Sequence, residues 1–382
     1  MQRHLPVLGV LVLVSALGVP VGWAATPAAS EEIRIGMNVA LTGAFVSEAD
    51  LYLKAVRLAE KQLNQAGGIN GKKLRLIMQD NQSTNPGALT ALNKNLEQDN
   101  VLALIGPVKS TQILAMADAV AAAGVPTMIG GTNPSLTTLG NPWFFRCRVN
   151  DLIVAAAMVK YIKEDMKLTK IGILHSAEAF GNGGADAVTQ FAKERGLTIV
   201  AREKYTLGDK DFTAQLLKIK SAGAEVLIPY VLGHDDHAVV NRQYRQLGSP
   251  YKYISTPAIA MKDVLNLSRE AAEGLVGVVE ALPGQSEANA KYVEEYKKEY
   301  PGFEPDMLGA WVYDALKVLA SAIQKGGEDR TKIREALLAT RGYPGVLGTF
   351  SFSKTGEGLH AAYVVAIDHG QPKLLKTVAV DQ

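Results

Sequence analysis

Cysteine is nearly missing from this chain: Cys147 is the one thiol in 382 residues. No internal disulfide is available to it, and a chain of this length can rely on its core instead. The setting "FFRCRVN" is strand-like and apolar, which does not favour Cys147 as a nucleophile. An excess of one charge is missing too, since 40 Lys and Arg face 38 Asp and Glu. That balance argues against a nucleic-acid footprint or a polybasic membrane face. Beyond the N-terminal segment no apolar run approaches the ~20 residues of a membrane-spanning helix. Catalytic signatures are absent as well: there is no Ser nucleophile elbow, no phosphate-cradling Walker loop and no His-Glu metalloprotease spacing. With 47% hydrophobic residues the chain is ordinary globular material, and an α/β chain without a catalytic motif reads as a binder.

The first segment stands apart. "MQRHLPVLGVLVLVSALGVPVGWAATPAAS" has a basic start at Arg3 and His4, an apolar run, and small residues at Gly22 and Ala24. This is the anatomy of a secretory signal peptide over residues 1–24, and it predicts export to the periplasm. A membrane anchor is the competing reading. The run from Leu5 to Val21 is short for a bilayer and is interrupted by Pro6 and Pro20. No Cys lies near the candidate cut to carry a lipid.

From Ile33 onward strand and helix alternate. "IRIGMNVAL", "KKLRLIMQD", "VLALIG" and "VPTMIG" read as strands, and the stretches between them carry helical periodicity. The alternation predicts a parallel sheet with helices on both faces. The pattern restarts after Asp151 with "KIGILHS", "LTIVAREKY", "EVLIPY" and "YKYIST", a second doubly wound lobe of similar size. Two or three helices between Asn289 and Ala339 and a few short strands complete the chain. Ligands of such sheets bind at the carboxyl ends of the strands, so the residues just after each strand are the ones to weigh.

In "GPVKSTQ", Ser110 or Thr111 can cap a helix, or that helix N-terminus can hold a ligand carboxylate. "VPTMIGGTNPS" ends a buried strand on Gly130, Gly131 and Thr132, offering close backbone approach and a hydroxyl. In "AFGNGGADA" the third glycine of a dinucleotide fingerprint is replaced by Asp186. The better reading is a loop with Phe180 at its tip, covering an apolar ligand or facing the core. Tyr230 and His234 follow a strand of the second lobe. His234 and His237 have the spacing of a metal pair on a helix, but no third and fourth ligands are marked, and Asp235 and Asp236 suit a helix start.

In order, "IGMNVALTGAF", "AGGINGKKLRLIMQDNQSTNP", "LIGPVKSTQ", "VPTMIGGTNPSLT", "FFRCRVND", "FGNGGADA" and "AAEGLVGV" resemble the type I periplasmic binding proteins of the leucine/isoleucine/valine-binding group. These are solute receptors of ABC importers. The resemblance runs from about Ile33 to the C-terminus and implies two Rossmann-like lobes closing on a ligand about a three-stranded hinge. It implies crossovers near Val149, Val279 and Gly358. Lobe one would then hold residues 31–149 and 280–357, and lobe two residues 150–279 and 358–382. It places the ligand's carboxylate and amine on Ser110, Gly130 and Thr132, matches Phe180 to an aromatic cover, and puts Asp151 after the hinge where an acid faces the cleft.

Two positions depart from the pattern. "STPAIA" puts Pro257 or Ala258 where a Glu usually pairs the ligand ammonium, and Glu48 occupies a position that is often aromatic. An unpaired buried ammonium is costly. Either Glu48 or Asp151 pairs it, or the ligand is an aromatic or 2-oxo acid without one. The resemblance implies a monomer serving a membrane ABC permease, with no cofactor, metal, nucleic acid or catalysis. The rivals are a metal-assisted hydrolase using His234 and His237, and a cytoplasmic sensor built on the same lobes.

Overall fold

The computed structural model describes residues 32–379 together with Gln2. The expected leader, residues 1–24, otherwise lies outside the described residues. Strands β1 (Glu32–Val39), β2 (Lys73–Asp80), β3 (Ala103–Ile105), β4 (Thr127–Ile129) and β5 (Phe144–Arg146) form a parallel sheet in the order β2-β1-β3-β4-β5. Helices α1 (Val46–Gln65), α2 (Asn85–Glu97), α3 (Ser110–Ala123) and the single-turn α4 (Ser135–Thr138) connect them. A parallel sheet covered on both faces needs apolar side chains pointing both ways. In β3, Ala103 and Ile105 join the cluster that holds Ala55 and Trp311, while Leu104 joins Leu92, Ile113 and Met116 on the other side.

Helix α5 (Asp151–Tyr161) opens the second half. There β6 (Lys170–Ser176), β7 (Thr198–Tyr205), β8 (Val226–Tyr230), β9 (Lys252–Ser255) and β10 (Val276–Val279) run parallel. They alternate with α6 (Ala179–Glu194), α7 (Thr213–Ser221), α8 (His234–Gln246) and α9 (Lys262–Ser268). The chain then returns to the first sheet with α10 (Glu287–Glu299), α11 (Met307–Gly326), α12 (Arg330–Leu338) and the small hairpin β11 (Tyr343–Pro344) and β12 (Thr349–Phe350). Helix α11 packs on α1 and β3.

Strands β13 (Ala361–Asp368) and β14 (Gln371–Ala379) finally join the second sheet, whose order is β14-β13-β10-β9-β8-β6-β7. These last two are antiparallel, unlike the rest. For the pair β13 and β14 the reason is local. His369 and Gly370 form a two-residue turn with φ of 52° and 69°, a geometry that folds a strand straight back on itself.

The chain thus crosses between sheets after Arg146, after Val279 and before Ala361, and the crossings are held together by buried charge. Arg148 Nε donates to both oxygens of Glu280 at 2.9 and 3.2 Å, tying the first crossing to the second. Arg146 sits fully buried 3.3 Å from Glu357, and its backbone pairs with the Gly356–Gly358 segment, tying the first to the third. We propose lobe boundaries on these crossings, residues 31–149 with 280–357 and residues 150–279 with 358–382, supported by the sheet to which each helix packs. Removing one member of a buried pair strands the other charge. Arg148→Met should therefore cost ~3–5 kcal/mol in urea unfolding of the ligand-free protein, and adding Glu280→Leu should restore most of it. Equal loss in both variants would show that the pair does not hold the crossings together.

Candidate functional site

Between the lobes lies a cavity of about 70 Å³ where the carboxyl ends of the strands meet. At roughly 10–15 Å³ per enclosed water this is room for a handful of waters, the scale of a small metabolite rather than a peptide. The lobes touch next to it: Asn133 Nδ2, after β4, donates to the carbonyl of Ala179 at the start of α6, each residue adjoining one in the cavity wall.

The glycines after β4 have a packing reason. A Cβ on Gly130 would lie 2.7 Å from the Trp311 ring, and one on Gly131 would lie 2.6 Å from Ile113. Glycine alone lets the strand end slide between α11 and α3. Gly130 and Thr132 then border the cavity while Gly131 faces α3 and stays out of it. The Asp151 amide donates to the Thr132 carbonyl at 2.9 Å, and Thr132 Oγ1 donates to Asp151 Oδ2 at 3.0 Å. Asp151 is wholly buried. Desolvation pushes its carboxyl up to about 7, against the pull of the Thr132 hydroxyl and of Arg146 and Arg148. Arg148 also borders the cavity, but its guanidinium is occupied by Glu280 and by the Gly130 carbonyl at 3.2 Å.

Ser110 opens α3 without capping it. The preceding residue, Lys109, holds the cap position and makes no side-chain cap bond, and Ser110 Oγ accepts from the Asn133 amide at a long 3.4 Å. The capping expected of Ser110 or Thr111 is therefore not found, and the first-turn N–H groups that a helix leaves unpaired stand beside a hydroxyl in the cavity wall. Thr111 is half-exposed on α3, outside that wall.

Phe180 sits in the wall, but not at a loop tip. Glu178 accepts from the Phe180 and Gly181 amides at 2.8 and 2.9 Å and starts α6 there, so "AFGNGGADA" is helix. Its glycines serve packing: a Cβ on Gly184 would lie 2.0 Å from the Tyr230 ring and one on Gly181 2.2 Å from the Ser176 carbonyl. Tyr230 is fully buried behind the wall, its ring 5.5 Å from that of Phe180. It backs the aromatic cover instead of bordering the cavity.

His234, opening α8, borders the cavity, with Nδ1 3.5 Å from Asp263. His237 points into the core, where its Nε2 is 2.8 Å from Ser255 Oγ, and burial followed by the charge of His234 drives it down to about 3. The two histidines do not converge. Pro257 and Ala258 border the cavity on a short helical turn after β9, so the second lobe presents no acid there. Glu48 borders it from the first turn of α1, bound to Lys109 Nζ at 2.6 Å. Burial raises the Glu48 carboxyl, but Lys109 and His234 outweigh it and hold the group below its ordinary value.

Lys109 and Val108, just after β3, and Thr256, just after β9, also line the cavity, as do Arg148, Met261 and Leu308, although the sequence reading gives none of them a role. Lys109 lies inside "GPVKSTQ" and Arg148 inside "FFRCRVND", and the clue to each is an acid far away in the chain that needs a buried partner.

The sequence model of the family described as "Periplasmic binding protein" matches residues 32–372. The chain is 27% identical over 342 residues to the leucine-, isoleucine-, valine-, threonine- and alanine-binding protein of Pseudomonas aeruginosa, covering 88% of this chain and 90% of that one. A leucine binding protein from Thermotoga maritima superimposes with a TM-score of 0.82 at 25% identity, over 91% of this chain and 99% of its own. A solute-binding protein of R. palustris in complex with benzoate shares the fold, with a TM-score of 0.83 at 18% identity over 91% and 96% of the two chains. Two lobes around a lined cleft, with a match spanning nearly all the described residues, make this chain a member of the periplasmic binding protein family.

Proposed function

We propose that the protein is the extracytoplasmic receptor of an ABC importer and that its cleft closes on a small amino acid. The observation that carries this reading is Asp151, a buried acid in the cavity wall whose side chain is bonded to Thr132. Glu48 is already paired with Lys109, which leaves Asp151 to meet the ligand ammonium in place of the absent glutamate. The ligand carboxylate rests on Ser110 Oγ and the unpaired amides at the start of α3, where the helix dipole adds to the attraction. Phe180, backed by Tyr230, covers the side chain. The P. aeruginosa relative, named for five amino acids, supports the ligand class. Differential contact with the two lobes drives closure. Residues 1–24 are removed on export, and the receptor acts as a monomer without catalysis.

The second reading is an aromatic or 2-oxo acid without an amine. It is favoured by the Phe180–Tyr230 ring pair and by Pro257 and Ala258 where the acid would stand. The R. palustris neighbour takes benzoate on the same fold.

Thermal unfolding of the mature protein against aliphatic amino acids, aromatic amino acids and amine-free acids tests the reading. A true ligand at ~100 times its Kd adds ~2.7 kcal/mol and raises the midpoint by several degrees. Shifts confined to the amine-free acids would sink the amino-acid reading. The sign of the pH dependence gives an independent check. Below about pH 7 Asp151 holds a proton, which an arriving ammonium must displace. Amino-acid affinity should then weaken as pH falls from about 7 to about 5, approaching tenfold per unit. An amine-free acid, whose own charge favours protonated Asp151, should show the reverse. In calorimetric titrations Asp151→Asn should cost an amino acid on the order of 100-fold in Kd while sparing amine-free acids.

A further inference from the structure

Binding an amino-acid head by Ser110, Thr132 and Asp151 leaves a second polar set in the cavity wall unaccounted for. From one lobe come Glu48 and Lys109, 5% and 8% exposed, joined at 2.6 Å. Lys109 Nζ also lies 4.1 Å over the Phe45 ring. From the other lobe come Thr256, 1% exposed, and His234, 8% exposed. Thr256 Oγ1 makes no hydrogen bond within the protein, and His234 Nδ1 lies 3.5 Å from Asp263 without hydrogen-bond alignment. All four residues border the same cavity. Glu48 interacts with Lys109 and His234, Asp151 with Thr132 and Arg148. Among the described residues no hydrogen bond or ion pair joins the two sets, although Lys109 directly precedes Ser110, so the wall carries a second polar end with partners of its own.

We propose that this second end reads an uncharged hydrogen-bonding group, a carboxamide or hydroxyl, on the ligand's side chain, so that the receptor selects a polar neutral amino acid over an aliphatic one. This rests on the amino-acid reading of the cleft. A methyl group against Thr256 Oγ1 and Lys109 Nζ would take water from both and return no partner. A charged group fares no better. Glu48 and Lys109 already neutralise each other, so a second carboxylate would crowd Glu48 and a second ammonium would crowd Lys109 in a low-dielectric site. A carboxamide fits the donor and acceptor count: its oxygen accepts from Lys109 or Thr256, and its nitrogen donates to Glu48. Val108, Met261 and Leu308 are left to pack the methylene stem.

Three ligands of one size and nearly one shape separate the possibilities: leucine, asparagine and aspartate, with methionine and glutamine as a longer pair. Calorimetric titration of the mature protein should show asparagine binding at least about tenfold tighter than leucine or aspartate, and glutamine at least about tenfold tighter than methionine. The double variant Glu48→Leu/Lys109→Met should reverse the order in favour of leucine or methionine. Thr256→Val alone should shrink the amide's advantage, because it removes a hydrogen-bond partner of the amide and the desolvation cost borne by leucine, and it guards against misfolding of the double variant. Apolar ligands winning both sets in the native protein, or an order unmoved by both variants, would overturn the inference and leave the amino-acid reading standing. Binding of amine-free acids with none of the five amino acids would overturn both.

Discussion

A receptor of two lobes works only if the strands that cross between them are held in one place while the lobes move about them. Here that place is built from charge taken out of water. Arg148 grips Glu280 between the first and second crossings, and Arg146 meets Glu357 between the first and third. Such pairs rarely add net stability, because the attraction barely recovers the desolvation. What they add is position. Arg148 also donates to the Gly130 carbonyl, and Asp151 follows three residues later, so the crossings and the cavity wall share one network.

That network explains how the cleft tolerates so many ionisable groups in so little volume. Glu48 and Lys109 cancel, Arg148 and Glu280 cancel, and burial lifts the Asp151 carboxyl to about 7. Each buried charge is matched or neutralised, which is the condition for its being there at all. The cleft is therefore close to neutral while remaining rich in directional donors and acceptors.

Much of this was legible in the chain. Alternating strands and helices, and the rule that ligands sit at strand carboxyl ends, lead to Ser110, Gly130, Thr132, Phe180 and His234, and the family resemblance adds Glu48, Asp151 and Ala258; all eight border the cavity. The misses have physical causes. Gly131 and Tyr230 are adjacent to the site in sequence, but alternation along the backbone turns one toward α3 and buries the other behind Phe180. "AFGNGGADA" looked like a loop because three glycines weaken a helix, yet they are what allows α6 to press on Ser176 and Tyr230. Lys109 and Arg148 were invisible because a lysine or arginine is ordinarily a surface residue. Only their pairing with Glu48 and Glu280, 61 and 132 residues away, makes sense of their burial.

The bond from Asn133 to the Ala179 carbonyl spans the lobes without involving any cargo. A bond between the lobes can form only while they are together, so whatever free energy it contributes favours that side of any opening equilibrium for every solute alike. Strengthening such a latch would lower Kd without improving discrimination, and would do so chiefly by lengthening the time each solute stays aboard. For a carrier that must surrender its cargo at a membrane, dwell time is a cost in throughput. A polar bridge of this kind, made by one amide and one carbonyl, is a modest hold that fits a carrier that has to unload.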